Sequence, residues 1–418
     1  MLPEGRGLST KTKPAGAKWR VLGWLALAES MAMALWFSAS AVVPQLRVEY
    51  ALSGAQEAWL TVGVQVGFVV GALFLALSNL TDRVGAHWLF CASALCGAAC
   101  NASVALFVPS IATVLALRCA TGLCLAGVYP PAMKLVATWT RRDRGLAIGV
   151  LVGALTVGSS VPHLLNALPL FGTGGMPPWR AVLYGSSGLA VIAAVVVACA
   201  VREGPYAGPS APFQWRYVAS ALSHRPTRLA NFGYLGHMWE LYAVWTWVPL
   251  ALLASYEAAG WSAVGARWAG FATVAVGAVG CVLAGRLADR LGRTTITIAS
   301  LAISGTCCVV AGFAFQNPLF FTVVCLVWGF AVVADSAQFS AAVSELADPR
   351  YVGTALTTQT SLGFLLSVIT IRAIAPLREA LGWEVAFLLL VPGPIFGILA
   401  MWRLRGLPEA TKLASGNR

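Results

Sequence analysis

Residues 262–293 read SAVGARWAGFATVAVGAVGCVLAGRLADRLGR, and this stretch shows the pattern that decides the fold. Its first part, 262–284, contains Arg267 as its only charged residue and is long enough to cross the roughly 30 Å hydrocarbon core of a bilayer as an α-helix. Its last part, 285–293, is a short loop with three arginines and one aspartate. Apolar segments of similar length, separated by short polar loops, recur along the whole chain and predict an all-α polytopic membrane protein.

The composition excludes an ordinary soluble protein. Of the 418 residues, 58% are hydrophobic and 11% are charged, whereas soluble domains contain about 25% charged residues. The mean hydropathy is +0.77. We predict twelve transmembrane helices, over residues 21–44, 57–78, 88–108, 110–134, 145–167, 180–201, 229–254, 262–284, 294–315, 319–343, 353–374 and 383–402.

The basic residues lie mainly on one side of these predicted helices. With a cytoplasmic N-terminus, the inside segments carry twenty-one Lys and Arg residues and the outside segments carry five. This positive-inside bias places both termini in the cytoplasm and explains the net charge of +12 without a nucleic-acid partner. We therefore expect an integral protein of a bacterial-type cytoplasmic membrane, with the lipid bilayer as its environment.

The ten cysteines all fall inside predicted helices, where they serve as small apolar packing residues. No pattern of Cys and His with metal-ligand spacing is present, so the sequence predicts neither a disulfide framework nor a metal site. No cofactor is expected.

The charged loop is repeated half a chain apart. Residues 78–85 read SNLTDRVG, and Asp289 follows Asp82 by 207 residues. This repeat predicts two pseudo-symmetric six-helix bundles. The predicted organisation is a cytoplasmic tail over 1–20, a first bundle over 21–201, a cytoplasmic linker over 202–228, a second bundle over 229–404 and a cytoplasmic tail over 405–418.

Two six-helix halves, a G-x-L-A-D-R-x-G-R loop at 285–293 with a shortened copy at 78–85, and Arg118 four residues before Gly122 together resemble the major facilitator superfamily. The first copy departs from the pattern at Ser78, Ala86 and His87. The resemblance covers essentially the whole chain and implies secondary active transport rather than enzymatic catalysis. It also implies that helices 1, 4, 7 and 10 line a central cavity, and we expect a monomer.

The residue pattern of the two loops predicts that they act as gates. A carboxylate at a helix end can accept from the N-terminus of a neighbouring helix, while arginines bind acids or carbonyls nearby, and such contacts can break and re-form. The alternative is a basic loop that sets topology and caps a helix. The predicted gating residues are Asp82, Arg83, Gly85, Gly285, Asp289, Arg290, Gly292 and Arg293.

Ionisable residues inside the predicted helices are the candidates for solute and proton binding, because a charge there costs at least ~2.5–3.5 kcal/mol and is usually functional. Spacing predicts that His237 and Glu240 share one helix face and can hydrogen-bond. Asp335 and Gln338 share a face in the same way. The alternative for these residues is a buried structural pair. The full candidate set is Glu29, Arg118, Tyr234, His237, Trp239, Glu240, Asp335 and Gln338.

Carboxylate and imidazole groups can carry protons, so we predict proton-coupled uptake of a small organic solute by alternating access. The first alternative is proton-coupled efflux of cationic or amphipathic compounds. The second alternative is a transporter-like membrane sensor or enzyme, although the sequence contains no H-E-x-x-H motif.

Overall fold

The structure is a computed structural model. It describes residues 15–107, 110–140, 144–168, 179–207, 218–219, 222–348 and 351–417. Much of the predicted linker and both predicted tail ends lie outside these residues.

The first half of the described chain forms nine α-helices. They are α1 (Ala15–Met33), α2 (Val43–Tyr50), α3 (Gly54–Ser78), α4 (Leu80–Val84), α5 (Ala86–Phe107), α6 (Ile111–Leu125), α7 (Tyr129–Trp139), α8 (Arg144–Ala167) and α9 (Trp179–Ala200). A 3-10 turn, Ser40–Val42, precedes α2.

The second half repeats this pattern. Its helices are α10 (Arg225–Ala258), α11 (Ala263–Ala275), α12 (Gly277–Leu291), α13 (Arg293–Ala314), α14 (Pro318–Ala334), α15 (Ser336–Leu346), α16 (Val352–Leu381), α17 (Trp383–Ala386) and α18 (Pro392–Arg405). Two further 3-10 segments cover Phe387–Leu390 and Pro408–Gly416.

Ten segments of the described chain are long and apolar enough to cross a membrane, and they match ten of the predicted spans. The predicted spans 21–44 and 229–254 are not among these ten. Helices α1 and α10 occupy these two positions, but charged residues and the polar-tipped rings of Trp and Tyr lower their hydropathy. The all-α membrane fold is confirmed, whereas the count of twelve stays a prediction.

Several spans that we predicted as continuous are broken in mid-course. The first ends as an α-helix at Met33 and turns before α2, and the tenth breaks at Asp335 between α14 and α15. The fourth breaks between Leu125 and Tyr129. Irregular backbone at membrane depth is tolerated only where protein surrounds it, so these breaks mark the interior of the bundle.

Small residues allow the close contact of α3 with α6. A Cβ atom added at Gly122 would overlap the main chain of Val64, and one added at Gly67 would overlap the carbonyl group of Cys119. Close backbone approach through small residues is the usual means of helix association in lipid, where no hydrophobic force drives it.

The two halves meet at two places. Helix α3 packs against α16, and α8 packs against α11 and α12. Across the α3–α16 contact, the side chain of Ser367 donates to that of Gln65 at 2.7 Å. This arrangement places the broken helices around a common centre.

Candidate functional site

The break in the tenth span brings two candidate residues together. Nδ1 of His237 on α10 lies 2.9 Å from Oδ1 of Asp335, and both side chains are 1% exposed. Nε2 of His237 has no hydrogen-bond partner among the described residues. Asp335 lies between α14 and α15, and its own backbone keeps helical dihedral angles (φ −84°, ψ −14°).

The predicted hydrogen bond between His237 and Glu240 is wrong. Oε1 of Glu240 instead accepts from the side chains of Ser304, Trp328 at 2.5 Å and Cys308 at 3.5 Å. The two residues are separated by about 60° around the helix axis, since each residue advances by about 100°. That angle lets His237 face α15 while Glu240 faces α13 and α14.

Aromatic rings surround the His237 imidazole. The ring of Tyr234 lies 5.8 Å and that of Phe339 lies 5.6 Å from the imidazole, centroid to centroid. Trp239 points elsewhere, because its Nε1 donates to the carbonyl oxygen of Leu389 at 2.9 Å. Tyr234 is therefore beside the His237–Asp335 contact, and Trp239 packs toward the last membrane segment.

Glu29 is the least satisfied of the candidate acids. It lies on α1 and is fully buried, yet neither carboxylate oxygen has a hydrogen-bond partner among the described residues. A buried carboxylate without partners is costly, so its environment must supply a proton, a cation or water.

Arg118 is also fully buried, but its donors are occupied. They reach the carbonyl oxygens of Leu35, Trp36 and Leu60 and the side chains of Ser38 and Asn101. Most of these acceptors belong to the turn that interrupts the first span. In this conformation Arg118 holds that turn against α3 and α5 and does not present a free cation.

An inter-half aromatic cluster fills the space between the broken helices. The rings of Trp36 and Tyr242 stack at 5.7 Å, and Phe364 lies within 5.3 Å of both. The indole nitrogens of Trp36 and Trp245 are buried without a hydrogen-bond partner among the described residues. This nearly solvent-free cluster leaves two indole donors unused, and it comprises Trp36, Phe37, Phe68, Tyr242, Trp245 and Phe364.

Residues 285–293, which the structure places in the last turns of α12 and at the start of α13 rather than in the predicted loop, form a clasp with neighbouring helices. Arg293 donates from Nε and Nη2 to the carboxylate of Glu345 at 2.8 and 2.6 Å, and from Nη1 to Gln338 at 2.7 Å. Gln338 thus belongs to this clasp and not to the central site where its spacing from Asp335 suggested it. We call this end of the bundle the clasp end.

Asp289 lies beside the start of α8. A Cβ atom added at Gly145 would be 3.4 Å from Oδ1 of Asp289, so the carboxylate occupies the positive end of that helix. Nη2 of Arg293 is 3.7 Å from the same oxygen. Gly292 has a φ of 93°, a left-handed value that favours glycine. Of the other predicted gating residues in this segment, Arg290 is exposed and Gly285 is buried beside α8.

The first copy of the loop shows the same backbone turn. Gly85 has a φ of 89°, close to the value at Gly292, and Arg83 is exposed. The side chain of Asp82 lies outside the described part of the structure.

Sequence reasoning missed a second set of contacts at the opposite end. Glu57 on α3 is 1% exposed, and its carboxylate lies 3.1 Å from Nη2 of Arg378 on α16 and 3.2 Å from Nε of Arg47. A Cβ atom added at Gly54 would overlap the Glu379 carboxylate. We call Glu57, Arg378, Glu379 and Gly54 the outer latch. Only the opposite charges near predicted outer helix ends hinted at it.

The comparisons with known proteins agree with this architecture. The family model of the Major Facilitator Superfamily matches residues 25–371 and 232–418. A Bacillus subtilis protein named as a niacin/nicotinamide transporter is 27% identical over 241 residues, which are 56% of each chain. The niacin transporter NiaP of Acinetobacter baylyi is 24% identical over 325 residues, which are 69% of this chain and 70% of the relative. The chain thus covers little more than half of the Bacillus relative.

Solved structures of low identity share the fold. The proton:xylose symporter XylE, bound to 6-bromo-6-deoxy-D-glucose, superposes with a TM-score of 0.73 at 13% identity, covering 94% of this chain and 96% of that one. An inward-facing bacterial homolog of the human lysosomal transporter Spinster gives 0.70 at 15% identity, covering 95% and 100%.

Proposed function

The chain belongs to the major facilitator superfamily, and from this premise we propose that it takes up a small organic solute together with protons by alternating access. It is a secondary transporter and not an enzyme. The coupling to protons, the direction and the solute are the proposed parts. The division into bundles over 21–201 and 229–404, the monomeric state and the bacterial cytoplasmic membrane with both termini inside belong to the same proposal.

The observation that carries proton coupling is the His237–Asp335 contact. Two titratable side chains lie 2.9 Å apart in a nearly solvent-free place, at a break in the helix that holds one of them. Binding or loss of one proton changes the attraction between the two groups, and a broken helix can change its direction at little cost in backbone hydrogen bonds. A proton can therefore bias the position of α15 relative to α14.

The clasp and the outer latch supply the gates for alternating access. In each, an acidic side chain of the second half (Asp289 or Glu379) lies against the first turn of a helix of the first half (α8 or α3). A helix N-terminus attracts a carboxylate with a free energy of typically ~0.3–2 kcal/mol, which is weak enough to be broken in each transport cycle.

We propose niacin and nicotinamide as the first solutes to test. The two bacterial relatives are named for these compounds. The inter-half aromatic cluster supports a flat solute, because aromatic rings stack on one another with a gain of about 0.5–1.5 kcal/mol per pair beyond area burial.

Efflux of cations is the second candidate, and Glu29 is the observation that favours it. Its carboxylate has no partner among the described residues, while the donors of Arg118 are occupied. Among the described residues, a buried acid without a partner and a buried arginine with occupied donors suit a positively charged solute.

A transport assay separates the two candidates. The full chain is reconstituted in liposomes with an acidic exterior, and uptake of labelled niacin and nicotinamide is followed with and without a protonophore. We expect one of these solutes to accumulate above its external concentration, and we expect the protonophore to abolish this accumulation. Proton-driven expulsion of a cationic dye without accumulation of either solute would favour efflux instead.

A further inference from the structure

A groove at the clasp end opens toward the surrounding lipid. It lies between the first turns of α10 and the last turns of α18 and has a volume of about 360 Å³. Its apolar wall includes Leu229, Phe232, Phe396 and Leu399, and the rings of Phe232 and Phe396 are 5.4 Å apart. Phe396 and Leu399 are each nearly half exposed. The groove therefore lies on the outer surface of the bundle and not at the central site.

Three arginines line the same groove. They are Arg225 and Arg228 on α10 and Arg403 on α18. Within the described residues, none of the three guanidinium groups has an ion pair or hydrogen bond, in contrast to Arg293 and Arg378. Three cations gathered without a counter-charge repel one another, so the arrangement suits an anion.

The position of these charges selects the kind of anion. The arginines stand at helix ends, where the membrane-spanning part of the protein stops, and the apolar wall continues from them into the hydrocarbon region. A molecule that fits must be anionic at one end and apolar along the other. Basic pockets between transmembrane helices with this layout bind the head groups of acidic lipids.

We propose that this groove binds one anionic glycerophospholipid, with its phosphate between the arginines of α10 and α18 and an acyl chain along Phe232, Phe396 and Leu399. The proposal does not depend on the solute or on proton coupling. A bound lipid would bridge the first helix of the second half to the last membrane helix of the chain.

Lipid retention by the full chain tests the proposal. The protein is placed in nanodiscs that contain phosphatidylglycerol and phosphatidylcholine with identical acyl chains, and native mass spectrometry counts the lipids that stay bound. We expect the wild type to retain phosphatidylglycerol preferentially. In Arg228→Gln/Arg403→Gln this preference should fall about 25-fold, since each arginine near an anionic head group contributes a factor of about five.

Two matched variants make the result specific. Arg228→Lys/Arg403→Lys keeps both charges and should retain the lipid, which separates loss of charge from loss of folding. Arg286→Gln/Lys412→Gln removes two exposed charges that do not line the groove and should behave as wild type. Equal retention of both lipids by the wild type, or an equal loss in the Arg286/Lys412 control, would overturn the proposal. Displacement of the lipid by sn-glycerol 3-phosphate would also overturn it, because the site would then serve a soluble anion.

Discussion

Arg118 shows, at the scale of one residue, how a buried charge can serve structure inside a membrane protein. Its guanidinium binds three main-chain carbonyl oxygens and two side chains around the interrupted first span. A lysine has its three donors on one nitrogen and cannot reach acceptors on both sides of this arrangement.

We expect Arg118→Lys to lower the thermal stability of the purified protein and Arg118→Ala to lower it further. Each buried acceptor left without a donor costs about 1–3 kcal/mol. The melting temperature in detergent measures the effect, and Arg286→Lys on the exposed face of α12 is the control. A melting temperature of Arg118→Lys equal to that of the control would contradict the structural role.

Asp335 carries the second residue-scale prediction. Asp335→Asn keeps the shape of the side chain but removes its charge beside His237, so proton-driven accumulation should fall at least about tenfold while solute counterflow continues. Glu49→Gln, which removes an exposed acid paired with Arg180, should retain both activities. Normal accumulation in Asp335→Asn would exclude the His237–Asp335 contact from coupling.

At the scale of helices, the contact of α3 with α6 depends on glycine. Gly122→Ala would force an added Cβ atom against the main chain of Val64, where no flexible side chain can give way. Gly188→Ala on α9 is the matched control, because nothing lies within 4 Å of its added Cβ atom. We expect Gly122→Ala to lose stability and Gly188→Ala to keep or gain it, by up to about 1 kcal/mol from helix propensity. Equal melting temperatures of the two variants would show that α3 and α6 are not in tight contact.

The helices also show what the sequence could predict. Apolar length located most spans and the repeated loop located the clasp, since both depend on local composition. The break at Asp335 has no local signal such as proline, and the choice of Ser304 and Trp328 over His237 as partners of Glu240 depends on neighbouring helices. The outer latch joins residues more than 300 positions apart, such as Glu57 and Arg378, and no spacing rule relates them.

For the whole molecule, alternating access requires that the clasp and the outer latch do not open at the same time. Asp289→Asn should weaken the clasp and favour conformations open at that end. A spin-label pair at Leu146 and Leu287, on α8 and α12, measures the separation of the two halves there, and its mean distance should increase. An unchanged distance distribution would mean that Asp289 does not act as a gate.

Glu57→Gln should have the opposite effect, because it removes a buried charge that two arginines hold. A spin-label pair at Ala55 and Ala380, on α3 and α16, should move apart, while the pair at Leu146 and Leu287 should stay close. Separation at both ends in one variant would indicate partial unfolding and contradict alternating gates.

Solute-driven proton movement tests the central claim, proton-coupled transport through the His237–Asp335 contact, most directly. The wild-type chain in liposomes without a pH gradient receives an inward gradient of the solute found by the uptake assay, and a trapped pH-sensitive dye reports the interior. We predict acidification of the interior with wild type and none with Asp335→Asn, although both variants admit labelled solute. Wild-type solute entry without a change of internal pH would contradict the account.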